Sequence, residues 1–136
     1  MFTVEAARNI VISSLAINAG GRGAGEVKVY TRQGGFTGHV ESDEGWELVY
    51  HNPAVTHNGR GQPTELGDFQ RSVFVAGATS QSFFVTSSKN LVYQRGTQEQ
   101  AECASDGTLT ILEGIGTDPT FSALVHTPRI WGGIMR

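Results

Sequence analysis

Apolar and polar positions alternate with a period of two along most of this chain. The stretch "EVKVYTR" (26–32) shows it cleanly. Val27, Val29 and Thr31 point one way, and Glu26, Lys28, Tyr30 and Arg32 point the other. That pattern predicts a half-buried strand with one wet face. Further short β-rich runs are "FTVEA" (2–6), "IVISSLAI" (10–17), "WELVYH" (46–51) continuing into "AVTH" (54–57), and "FQRSVFV" (69–75). "QSFFVTS" (81–87), "NLVYQ" (90–94), "GTLTILEG" (107–114) and "PRIWGGIMR" (128–136) complete the set. No segment of ten or more residues carries a helical period. Clusters of Gly, Asn, Asp and Ser separate the runs, a spacing that marks a sandwich or barrel.

The strand–turn–strand order predicts an all-β fold: an antiparallel two-sheet β-sandwich, jelly-roll-like, of about nine strands, with residues 1–136 forming one domain. Inward positions read from the alternation are Val4, Ile12, Leu15, Ile17, Val27, Val29, Leu48, Tyr50, Val73, Val75, Phe83, Val85, Leu91, Leu109, Ile111, Ile130 and Ile134. Pro53 cannot donate to a ladder, so it marks a bulge or an edge. Segments 33–45 and 95–106 read as polar loops. In "HNGRGQPTELGDF" (57–69), Asn58-Gly59, Gly61 and Pro63 are turn signals. There His57 should end one strand and Phe69 begin the next. Arg60, Glu65 and Asp68 should pin the connection by charge-assisted bonds.

Composition narrows the function classes. A chain of 136 residues can bury a core without staples. Eighteen glycines against four prolines point to many tight turns. The net charge of −3, with scattered Lys and Arg, excludes a basic nucleic-acid footprint. No apolar run is long enough to insert in a membrane as a helix. The start, "MFTVEAARNIVISSLAIN", lacks the basic opening and continuous apolar region of a signal peptide. Cys103 is the single cysteine and reads as a half-buried small residue.

Motifs for chemistry are sparse. "GGRGAGE" (20–26) fails the dinucleotide fingerprint, because Glu26 takes the last glycine position, and it reads as a hairpin loop. His51 and His57 would lie roughly 20 Å apart on a strict strand, too far to share a metal. In "ESDEG" (41–45), Glu41, Asp43 and Glu44 offer oxygen ligands for calcium, the one cofactor the chain suggests. The plainer reading there is a solvated acidic loop. No G-x-S-x-G elbow is present. The aromatics are the better lead, because an exposed ring can stack on a sugar while polar neighbours bind its hydroxyls. Tyr30, beside Arg32 and Lys28 on a wet face, is the first candidate, with Trp46, His57 and Arg60 also placed as ligand-binding residues. Trp131, Tyr50 and Tyr93 are amphipathic too.

Seven blocks, "VKVYTRQGGFTGH", "WELVY", "HNGRGQPTELGDF", "QSFFVTSS", "NLVYQRGT", "SDGTLTILEGIG" and "PRIWGGI", span almost the whole chain in this order. As a set they resemble a loosely characterised family of β-sandwich domains. That family is met in predicted secreted or surface proteins of bacteria and in diatom and related algal proteins, often beside other extracellular modules. The resemblance implies a non-catalytic accessory module in an extracellular or cell-surface setting, beginning at Met1–Phe2. It supplies no ligand or catalytic residues.

The first functional expectation is therefore a secreted or surface module that binds carbohydrate or mediates adhesion, its partner a polysaccharide or glycoprotein surface. The alternative is a structural subunit of a coat, filament or sheath. That subunit would be a homo-oligomer joined through edge strands such as "RIWGGIMR", with Ile130, Trp131, Ile134 and Met135 apolar on both faces. A small hydrolase or isomerase with His57 or His126 as base is the third.

Overall fold

A computed structural model describes residues 1–136. The chain is all-β, without a helix, and its strands pair antiparallel. Twelve strands follow one another: β1 Phe2–Ala6, β2 Ile10–Ile17, β3 Arg22–Gln33, β4 Glu47–Asn58, β5 Thr64–Val75, β6 Thr79–Ser87, β7 Tyr93–Arg95, β8 Glu102–Ser105, β9 Leu109–Leu112, β10 Gly114–Thr117, β11 Val125–Trp131 and β12 Ile134–Met135. They form three sheets where the alternation predicts two. One has six strands in the order β4-β3-β6-β1-β9-β8, and the others are β10-β11-β7 and β12-β2-β5. The extra sheet comes from splitting the two C-terminal runs. Gly114 opens a new strand after Glu113, and Gly132-Gly133 separates β11 from β12.

The main core lies between the six-stranded sheet and β12-β2-β5. Val4, Val27, Val29, Phe83 and Val85 come from the first, and Ile12, Leu15, Ile17, Leu66 and Val75 from the second. Val27, Val29 and Thr31 are buried, with Lys28, Tyr30 and Arg32 half-exposed on the other side, as the alternation of β3 requires. Three expected core residues fall outside: Leu48, Ile134 and Ile130, the last half-buried on β11 but not packed in the main core. Leu48 is 46% exposed while Val49 and Tyr50 are both buried. The pairing explains this: Val29 sits opposite Tyr50 but Tyr30 opposite Leu48, so Val49 is an extra residue in a β-bulge. A bulge turns two consecutive side chains to one face, which strict alternation cannot foresee. Ile134 is 42% exposed because β12 is a two-residue edge strand.

Pro53 fulfils both parts of its sequence reading. It lies on β4, the edge strand of the six-stranded sheet, inside a second register shift between the Gly25–Val55 and Val27–Asn52 pairs. The gap between β4 and β5, which belong to different sheets, is bridged by side chains. Gln70 Oε1 accepts from the His51 amide at 3.0 Å, and Tyr50 Oη donates to the Leu66 carbonyl at 2.6 Å.

The two glycine-rich segments are more ordered than loops. Arg22 to Glu26 belong to β3 rather than to a hairpin loop. Gly25 lies so near Lys89 and Ser88 that a Cβ would stand 2.7 Å from Ser88 Oγ. Between His57 and Phe69 only residues 59–63 are a turn, because β4 runs to Asn58 and β5 starts at Thr64. Gly59 and Gly61 adopt φ of +94° and +75°. The pins are amide and hydroxyl groups, not charges: Asn58 Nδ2 donates to the Pro63 carbonyl at 2.7 Å. The Asn58 amide donates to Thr64 Oγ1 at 2.9 Å, and the Gly61 amide to Asn18 Oδ1 at 3.0 Å. Glu65 instead pairs with Arg136 at 2.6 Å, tying β5 to the C-terminus.

The outer face of the six-stranded sheet is covered in part. A smaller apolar cluster of Met1, Phe36, Phe84 and Ile115 forms there, with Tyr30, Val40, Trp46 and Phe121 packed against it. Sheet β10-β11-β7 stands beside this cluster, and the candidate site lies between the two.

A candidate binding cleft between the N-terminal strand and the β7–β11 ladder

The third sheet is anchored to the chain start by its own backbone. The Met1 amino group donates to the Ile115 carbonyl at 2.7 Å, and the Ile115 amide donates back to the Met1 carbonyl at 2.9 Å. Gly114 makes this approach feasible, since a Cβ there would overlap the Met1 carbonyl oxygen and lie 2.8 Å from Phe2 Cα. Burial of the Met1 amine lowers its pKa to about 5.

On the other side of Gly114, Glu113 is buried. Its carboxylate accepts from the Thr97 amide (2.6 Å), the Gln98 amide (2.9 Å) and Thr97 Oγ1 (2.9 Å). Burial pushes this carboxyl up, but the hydrogen bonds together outweigh it and hold the group below its usual range. Glu113 thereby fixes the turn that follows β7, and the Gly96 amide joins that turn to the Pro128 carbonyl of β11 at 3.1 Å.

These anchors leave a cleft of about 440 Å³. Its sheet side is made by Phe84, Thr86 and Ser87 of β6. Its opposite side is made by Tyr93, Thr117, Asp118, His126, Arg129 and Trp131. The pairing of β11 with β7 sets what faces inward. Trp131 is directly opposite Tyr93, and Arg129 directly opposite Arg95. Residues two apart on a strand share a face, and so do directly paired residues. One face of this ladder therefore carries an aromatic pair and an arginine pair.

The aromatic pair is held firmly. Trp131 stacks on Phe2 with centroids 4.4 Å apart and an interplanar angle of 10°. The Arg129 guanidinium lies 5.3 Å from the Tyr93 ring centroid, while Tyr93 remains 41% exposed. Gly116 gives the tyrosine room, because a Cβ there would stand 3.3 Å from its hydroxyl oxygen. Thr117 Oγ1 is buried at the cleft wall without a hydrogen-bond partner. Apolar walls with a few convergent polar groups are the usual make-up of a small-ligand site.

The residues singled out from sequence divide into two groups. Tyr30, Arg32 and Trp46 are brought together beside the cleft. Tyr30 packs on Phe84 and Phe121 with centroids 6.1 Å and 5.3 Å away, and the Arg32 guanidinium sits 5.9 Å from the Trp46 centroid. Trp46 Nε1 donates to the His39 carbonyl at 2.8 Å. His57 and Arg60 are elsewhere. Tyr30 is near one end of the β3–β4 ladder, and His57 pairs with Gly23 near the other, about 23 Å along the strand. His57 is 2% exposed and hydrogen-bonded at both ring nitrogens, which removes it from any surface site. Arg60 is exposed on the turn with no ion pair.

No group of three or more His, Cys, Asp and Glu side chains converges, and Glu41, Asp43 and Glu44 do not form one. The Cys103 thiol donates to the Ile111 carbonyl at 3.3 Å, and burial raises its pKa, so it is not an activated nucleophile.

Sequence reading missed Arg95, Arg129, Thr117 and Asp118 as lining or flanking groups. A signal was present: in "YQR" and "RIW" an arginine and an aromatic stand two apart, hence on one face of a strand. Nothing local says that the two strands are partners. No family model matches the chain, and comparison with curated proteins finds no match.

Proposed function

We propose that this domain is a non-catalytic binding module, a jelly-roll-like β-sandwich, that holds carbohydrate in the cleft between β6 and the β7–β11 ladder. The reading rests on one observation: a 440 Å³ cleft in which half-exposed Tyr93 and Trp131 stand beside Arg129, His126, Asp118 and Thr117. Aromatic rings supply an apolar platform for a sugar face, and the polar side chains supply donors and acceptors for hydroxyls. Tyr30, Arg32 and Trp46 extend the platform along the sheet. The setting that suits such a module is a cell surface or the extracellular space, with a polysaccharide or glycoprotein as partner. Glycan-array screening followed by calorimetric titration of folded protein tests it. Binding that Tyr93→Ala abolishes without unfolding is the expected result, and no binding at millimolar sugar overturns it.

A second reading, self-association into a coat or filament, is favoured by a different feature. Val11 and Phe74 face each other across β2 and β5 and are 59% and 61% exposed. Trp131 and Met135 of the C-terminal segment, by contrast, are half-buried against the core. Light scattering at high concentration decides this reading, and a strict monomer ends it.

A further inference from the structure

We infer that the cleft takes an acidic glycan, one whose sugars carry carboxylate or sulfate groups, and that Arg95 and Arg129 receive those groups. The inference rests on the carbohydrate reading and names the ligand class. Arg95 and Arg129 are directly opposed across β7 and β11. Like charges in that position repel and destabilise the ladder. Two carboxylates stand on neighbouring residues, Glu99 accepting from Thr127 Oγ1 at 2.9 Å and Glu113 lying against Gly96, and neither closes an ion pair with the arginines. The ion pairs of the molecule are Lys28–Glu26, His51–Glu26, Arg71–Glu47 and Arg136–Glu65. None reaches either arginine.

Arg129 is half-buried in the cleft wall, where lost hydration makes an unpaired cation costly. One Arg129 nitrogen donates to the Pro128 carbonyl at 3.0 Å, and the group stacks on Tyr93. These contacts orient the guanidinium without neutralising it. Glu113, the nearest buried carboxylate in the chain order of this sheet, spends its oxygens on Thr97 and Gln98. Asp118 is the single carboxylate lining the cleft. Arg129 is the arginine lining the cleft, and exposed Arg95 flanks it across the ladder. Guanidinium groups bind carboxylate and sulfate oxygens in a planar, two-point manner that neutral hydroxyls do not reproduce. The same face carries Tyr93 and Trp131, so ring stacking and anion binding fall on one ligand.

The test is calorimetric titration with matched probes: oligogalacturonate against its methyl ester, and a sulfated galactan oligomer against its desulfated form. Expected is binding of at least one acidic probe, about tenfold or more over its neutral partner, weakening as salt is raised. Arg95→Gln and Arg129→Gln should each lower that affinity about tenfold, whereas Arg60→Gln, on the distant turn, should not. Both cleft variants should unfold at the same or a higher urea concentration, because they relieve a like-charge pair. Equal or better binding of the neutral probes overturns the inference and leaves the carbohydrate reading standing. Acidic binding that both cleft variants retain overturns it as well. Failure of all four probes, with folded protein, counts against both.

Discussion

The hydroxyl of Ser87, on β6, meets Nε2 of His57, on β4, at 2.9 Å, while His57 Nδ1 lies 2.9 Å from the Val55 carbonyl. Nδ1 carries the proton and donates to the carbonyl; Nε2 accepts from the hydroxyl. The histidine that looked most like a functional group in the sequence is thus a buried clamp between strands. His57→Leu should destabilise the domain by about 1–3 kcal/mol, the range for leaving buried polar groups unpaired. Urea unfolding measures it. Glycan affinity of the folded variant should be unchanged, and a loss of affinity would return His57 to the site.

Glu113→Gln should also destabilise, with a distinct pH signature. The folded carboxyl is held below its ordinary value of 4.5, so its contribution is present above that pH and lost as pH falls through the folded value. Unfolding curves of the parent protein should converge toward those of the variant on acidification. A constant gap down to strongly acidic pH would contradict the assignment.

The buried amine of Met1 gives a pH dependence of the same sign in a higher window. In a chain that begins at Met1, the unfolded state binds a proton between the folded pKa of about 5 and the ordinary 8.0, and the folded state does not. Stability should therefore rise with pH across that window, by about 1.4 kcal/mol per unit at most, and level off above it. A chain carrying residues ahead of Met1 lacks the free amine and should lack this slope. An identical slope in both would show that the Met1 amine does not set it.

Gly114→Ala and Gly35→Ala make a matched pair. At Gly114 a Cβ would collide with the Met1 backbone, whereas nothing lies within 4 Å of the position at Gly35. The first should cost several kcal/mol, as overpacking against backbone does, and open the cleft wall; the second should be near neutral. Thermal melts of the two proteins give the comparison directly.

Period-two alternation was enough to show that this chain is all-β, to assign most core positions of β2, β3 and β6, and to identify Pro53 as an edge or bulge residue. That information is local: a strand's burial pattern is written in its own side chains. The tertiary structure decided the rest. The bulge that exchanges Leu48 for Val49 in the core depends on how β4 is registered against β3. The division into three sheets depends on Gly114, which admits the Met1 backbone, and on the Gly132-Gly133 break between β11 and β12. Above all, the cleft depends on β7 pairing with β11, which sets Arg95 against Arg129 and Tyr93 against Trp131. Pairing partners distant in sequence are chosen by the summed packing of the whole fold, and a single sequence does not spell out that sum.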